Sequence, residues 1–151
     1  MLGAILAGLW PTLDPALIEP PAFLSAAPER VAMRFTRCAR GRGQGCVTDG
    51  DTFKLGKRRI RIVGIDAPEA HPANCPEEAR LGEAATVELM RLLNQGPFVM
   101  TGRIDDMTDR YGRELRVLSR TKPDGSTQSI AEDMRSSGLA HRYLGRKTSW
   151  C

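Results

Sequence analysis

The stretch "DGDTFKLGKRRIRIVGIDAPE", residues 49–69, constrains the fold of this chain more than any other. Two β-prone runs flank Gly56 and Lys57, a pair suited to a tight hairpin turn. The first run, "CVTDGDTFKL", has strand character through Leu55, and the second, "RRIRIVGI", alternates. Alternation sets Ile60, Ile62 and Gly64 on one face and Arg59, Arg61, Val63 and Ile65 on the other. Arg61 therefore shares a face with apolar neighbours, an unusual place for a guanidinium with no anion to meet. Asp49, Asp51, Asp66 and Glu69 crowd the same stretch. Exposed ion pairs contribute little stability, so stability alone is a poor reason to gather these charges.

The other segments read in order around it. "AMRFTRC" predicts a short first strand, and "DAPEAHPANCP" a loop enforced by Pro68, Pro72 and Pro76. "EEARLGEAATVELMRLL" predicts a helix with Ala85, Leu89, Leu92 and Leu93 on one stripe. Pro76 suits its first turn, and Asn94 and Gly96 supply its stop. "PFVMTGRI" and "RELRVLSR" read as two strands separated by the polar "DDMTDRYG". "KPDG" is a turn, and the capping-box pair Ser129 and Glu132 opens a short helix that Gly138 ends. "LAHRYLGRKTSWC" is a basic tail to which no element is assigned. Roughly five short strands, a helix before the fourth and another after the fifth predict a β-rich α+β fold. Its architecture is a five-stranded oligonucleotide-binding (OB) Greek-key barrel with two or three helices.

A chain of 151 residues fits one such domain with an appendage. The expected division is a Pro- and Ala-rich leader over residues 1–30 and the barrel over 31–151. Residues 1–28 carry Asp14 and Glu19 but no Lys or Arg, whereas 21 basic and 15 acidic residues follow from Val31 onward, a net of +6. That surplus suits a polyanionic partner, and charge kept for solubility explains it equally well. Aromatic residues make up only 5%, which argues against a broad base-stacking platform. The opening "MLGAILAGLW" is too short to span a bilayer. It reads either as the apolar part of an export signal, although no Lys or Arg precedes it, or as a leader that docks or stays disordered. Cys38 and Cys46 bracket a flexible "ARGRGQG" and could pair, which would place the chain in an oxidising compartment. A zinc site built from the cysteines with His71 is the alternative, but their spacings match no common zinc pattern. An extracytoplasmic location is favoured over the cytoplasm.

Chemistry emerges from the carboxylates and arginines taken together. Asp51 follows a glycine on one strand and Asp66 ends the next, so a closed hairpin brings both to one end of the sheet. Two carboxylates with a backbone carbonyl begin a site for a hard cation that takes oxygen ligands. Pro68 holds Glu69 nearby, where a carboxylate can accept a proton from water. Arg61 and Arg113 offer planar, permanently charged donors for the oxygens of a reacting phosphate. Taken singly, these residues are better explained as a turn, a cap or solvated charges. As a set they describe cation-assisted attack of water on a phosphodiester.

At these residues the chain resembles the staphylococcal nuclease (thermonuclease) family. "DGDTFKL", "RIRIVGIDAPE", "LGEAA", "TDRYGRELRVL" and "IAEDMRSSGLA" carry the resemblance in the family's order, across residues 46–143. The resemblance implies that Asp51, Asp66 and the backbone carbonyl of Ala67 bind Ca2+. It implies Glu69 as general base and Arg61 and Arg113 as donors to the scissile phosphate. Arg110 and Tyr111 match positions near a terminal phosphate, and Tyr143 lies one place from a nucleotide-stacking tyrosine, with Leu144 at the matching position. A third, C-terminal helix is expected to be short or absent. The implied activity is a monomeric, calcium-dependent hydrolase of DNA, RNA or both that leaves 3′-phosphate ends, with little sequence specificity. The alternative is a non-catalytic barrel that binds nucleic acid or protein, a role with no need for the whole catalytic set.

Overall fold

The computed structural model describes residues 25–39, 44–105 and 107–151. Most of the expected leader and the middle of the "ARGRGQG" segment lie outside the described residues. Ten short strands and two helices follow in order: β1 (Glu29–Val31), β2 (Thr36–Arg37), β3 (Gly45–Asp49), β4 (Thr52–Leu55), β5 (Arg58–Ile62), β6 (Ile65–Asp66), α1 (Pro76–Leu93), β7 (Phe98–Thr101), β8 (Glu114–Thr121), β9 (Thr127–Ser129), α2 (Ile130–Ser136) and β10 (His141–Arg142). The main sheet runs β1-β7-β8-β5-β4-β3-β2, with β9 on β8, and β10 pairs β6 separately. β1 and β2 are the two ends of that path, yet they lie on one continuous segment. The sheet therefore curls until both of its edges meet on residues 29–37, giving the OB-type α+β fold.

Of the single strand expected over residues 32–38, only Thr36–Arg37 is strand (β2), and a separate strand, β1, precedes it at Glu29–Val31. Between them Phe35 turns inward against Phe53 and Phe98, with ring centroids 5.5 and 5.9 Å away. These three rings fill the centre with Ile60, Ile62, Leu89, Met100 and Leu118. Helix α1 covers this core through Ala85, Leu89, Leu92 and Leu93, the stripe expected from the sequence. Its C-cap residue Asn94 has a second role. The Asn94 side chain accepts from the Phe35 N–H at 2.7 Å and donates to the Phe35 carbonyl at 2.9 Å. Arg120 from β8 donates to the carbonyls of Leu92, in the last turn, and of Gly96, just beyond the helix, and so ties β8 to the helix end.

The run through Leu55 also divides. A turn at Gly50 and Asp51 separates β3 from β4, and the register shifts between Val47 and Asp49. Gly50 is required there, because a Cβ would stand 2.6 Å from the Ala85 Cβ and 2.8 Å from the Ala67 Cβ. The basic tail is not without structure: His141 pairs with Asp66 and Arg142 with Ile65. All four cysteines are joined, Cys38 to Cys46 and Cys75 to Cys151. No thiolate remains for the zinc alternative. In the chain-entropy account the longer loop, closed across 76 residues, restrains the unfolded chain by about 4 kcal/mol.

Candidate active site

The turn after β3 delivers Asp51, and the pairing of β4 with β5 sets Thr52 opposite Arg61. Asp51 and Arg61 consequently meet inside the protein, with Arg61 Nη2 3.6 Å from Asp51 Oδ2. Arg61 Nη1 also donates to the Ile62 carbonyl at 2.6 Å. This answers the puzzle of a guanidinium on an apolar face: it is 6% exposed and has an anion.

Strand β6 brings in the next carboxylate. Asp66 is 4% exposed, and the following residue, Ala67, donates its N–H to Asp51 Oδ2 at 2.9 Å. Asp51, Asp66 and Ala67 are thereby locked together. Two residues on, Glu69 is half-buried at the start of the loop to α1. Gly82 of α1 lets that loop approach, since a Cβ there would stand 2.6 Å from the Glu69 carbonyl carbon. The "LGEAA" segment thus contributes a close backbone contact beneath the candidate base.

The electrostatics follow from this crowding. Burial and the neighbouring charge of Asp51 push the Asp49 carboxyl up to about 8. Burial likewise works against ionised Asp51, but the Arg61 guanidinium outweighs it, with hydrogen bonds from Asp49, Ala67 and Thr52, and holds Asp51 below the ordinary carboxylate range. Asp66 is raised, first by burial and then by the charge of Asp51. One buried arginine therefore balances one buried carboxylate and leaves Asp66 beside it as an excess opposed chiefly by the largely exposed ammonium of Lys147. A cation between Asp51 and Asp66 would relieve that excess, so the donor chemistry fits calcium. Among the described residues no group of three or more His, Cys, Asp and Glu side chains forms a metal site by itself. Two carboxylates and a carbonyl make an incomplete protein shell, which calcium completes with water.

A second cluster lies beside the first. Arg113 directly precedes β8, whose Glu114 is paired with Ile60 of β5. Asp109 organises this loop. Its carboxylate accepts the backbone N–H groups of Tyr111 and Arg113, each at 2.9 Å, and Arg113 Nε at 2.7 Å. Arg113 and Arg110 both face the Tyr111 ring, 5.4 and 4.8 Å from its centroid. Arg59 donates to the Tyr111 carbonyl. Arg59 and Arg61 alternate onto one face of β5, so this loop shares the face that carries Arg61. Tyr143 belongs to the first cluster: its ring lies 5.8 Å from the Arg61 guanidinium, and its N–H donates to the Gly64 carbonyl at 2.9 Å.

Two residues of the site escaped the sequence reading. Asp109, which holds Arg113, is one. Lys147 is the other: its ammonium stands 3.3 Å from Glu69 Oε1 and 3.8 Å from Asp66 Oδ1. Burial works against that ammonium, but the charges of Asp66 and Glu69 outweigh it and raise its pKa. Asp109 was signalled only by its place four residues before Arg113. Nothing local marks Lys147.

A curled OB-type sheet with a buried Asp–Arg pair at one end and further arginines on the same face places the chain among the small OB-type α+β barrels. A family model described as staphylococcal nuclease homologue matches residues 59–149, more than half of the chain, and the chain belongs to that family. It is a family of nucleases, which act on nucleic acids. The match takes in every candidate from Arg61 to Tyr143 and begins beyond Asp51. None of the curated proteins compared matches the chain.

Proposed function

We propose that this protein is a monomeric, calcium-dependent nuclease that hydrolyses DNA, RNA or both to 3′-phosphate products. The observation that carries the reading is the lock between Asp51 and Ala67, which holds Asp51, Asp66, Arg61 and Glu69 at one end of the barrel. Asp51, Asp66 and the Ala67 carbonyl are the residues that would hold calcium. When bound, calcium would supply positive charge beside the phosphate oxygens, where negative charge grows during attack. Glu69 accepts the proton of the attacking water. The water oxygen bonds to phosphorus, the bond to the 5′ oxygen breaks, and the departing oxygen takes a proton from solvent. Arg61 and Arg113 donate to the phosphate oxygens, a role suited to a guanidinium fork. Arg110, Tyr111 and Tyr143 contact neighbouring parts of the strand. Binding rests on phosphate contacts, so it is weakly sequence-specific and falls steeply with salt. Two disulfides support an extracytoplasmic setting, with a leader over most of residues 1–30 and a nuclease domain whose first strand, β1, already begins at Glu29.

Labelled single-stranded DNA incubated with the protein in calcium, and separately in chelator, tests this reading. Cleavage only in calcium, with 3′-phosphate ends and with strong losses in Glu69→Gln and Arg113→Ala, is expected. Folded protein that binds the strand and leaves it intact would instead make the barrel a binding module.

A further inference from the structure

The segment after β10 crosses the candidate site as a strap fixed at both ends. At its start, β10 pairs with β6, setting His141 opposite Asp66. At its finish, Cys151 is bonded to Cys75, which closes the far end of the loop that carries Ala67 and Glu69. Trp150 lies flat on His141, with centroids 3.7 Å apart and planes 1° from parallel. Between these anchors Lys147 points at Asp66 and Glu69. The lysine side chain is 66% exposed, so each ion pair is weak and open to displacement. It is nonetheless held at high effective concentration by a short tether, which makes a weak contact persistent.

We infer that Lys147 is an internal competitor for the divalent cation at Asp66, and that the Cys75–Cys151 bond sets the strength of that competition. The inference rests on the reading of Asp66 as a cation ligand. Its physical basis is that an ammonium and a divalent cation cannot share the outward oxygen of Asp66 without repulsion. A positive charge tethered there raises the cation concentration needed to fill the site. Opening the disulfide removes one of the strap's anchors, lowers the local concentration of Lys147 and eases access of the metal to the carboxylate. Cys151 is exposed, so a reductant can reach the bond.

Calcium binding to the full chain, measured by isothermal titration calorimetry without nucleic acid, tests the inference directly. Lys147→Ala is expected to tighten binding about two- to five-fold, the range of an exposed ion pair. Lys147→Arg, which keeps the charge, should restore most of the wild-type constant. The double variant Cys75→Ser, Cys151→Ser should tighten binding in the same direction, by no more than Lys147→Ala does. It leaves Cys38–Cys46 intact and retains a capping side chain at the start of α1. Adding Lys147→Ala to the double variant should then tighten binding by less than it does in the wild type, because only the Trp150–His141 stack and β10 still hold the lysine. Calcium binding that Asp66→Asn abolishes but Lys147→Ala leaves unchanged would overturn the competitor and spare the site. Wild-type protein that binds no calcium would overturn both.

Discussion

Arg61 and Arg113 are assigned the same task, yet the protein holds them in opposite ways. Arg61 sits within a strand, its side chain 8% exposed, between a buried carboxylate and a backbone carbonyl. Arg113 sits at the end of a loop, its side chain 27% exposed, on an aspartate four residues back. The first is part of the core as well as of the site. The second is held by a loop whose geometry one side chain maintains. The difference teaches that a shared chemical role need not carry a shared structural cost, and each arginine can be removed to show it.

Arg61→Ala should have the largest effect. It strands Asp51 as an uncompensated buried charge, which costs about 3–5 kcal/mol of stability. It also removes a phosphate donor, for which a loss of about 10²–10³ in kcat is expected. Urea denaturation and cleavage kinetics should therefore fail together. Arg113→Ala should lose activity on about the same scale while its stability falls by no more than about 1 kcal/mol, because its ion pair is partly exposed. Equal destabilisation in the two variants would abolish the contrast. Asp109→Ala comes next. It leaves the Arg113 guanidinium present but unguided, so activity should fall about ten-fold, with a smaller loss on removing Arg113 afterwards.

The last effect concerns pH. Folded Asp49 keeps its proton up to about pH 8, whereas its ordinary value is 3.8. The folded state thus binds more protons across that window, and its stability falls as pH rises. The contribution is fully present below pH 3.8 and is lost by about pH 8. The slope is on the order of 1 kcal/mol per pH unit in metal-free protein. Asp49→Asn should flatten that slope in melting experiments between pH 5 and 8, and a slope unaltered by it would remove Asp49 as the cause.

The contrast between the arginines also marks what could be read from the sequence. Arg61 was legible because a strict alternation placed it among apolar side chains, and Asp51, Asp66 and Glu69 stood within the same short stretch. The helix stripe and the capping pair Ser129 and Glu132 were legible for the same local reason, and Ser129 does accept from the Glu132 N–H. The Gly50–Asp51 turn was legible only as the ordinary alternative for "DGD", since β-prone residues lie on both sides of it. Its cause is a close approach by Ala85 and Ala67 from elsewhere in the chain. β10, the Cys75–Cys151 bond and Lys147 share one obstacle. Each depends on residues about 75 or more apart, and four cysteines allow three pairings that no local pattern distinguishes.

The meeting of both sheet edges on residues 29–37 has a further consequence. Pulling out that one segment would bare β7 and β3 together, each with a row of unmet N–H and C=O groups. The same seat would accept the identical segment of a neighbouring molecule, producing an exchanged dimer through contacts already optimised within one chain. Asn94 gripping Phe35 and the Cys38–Cys46 bond at the end of β2 act as latches on that segment. Removing either latch would favour that exchange.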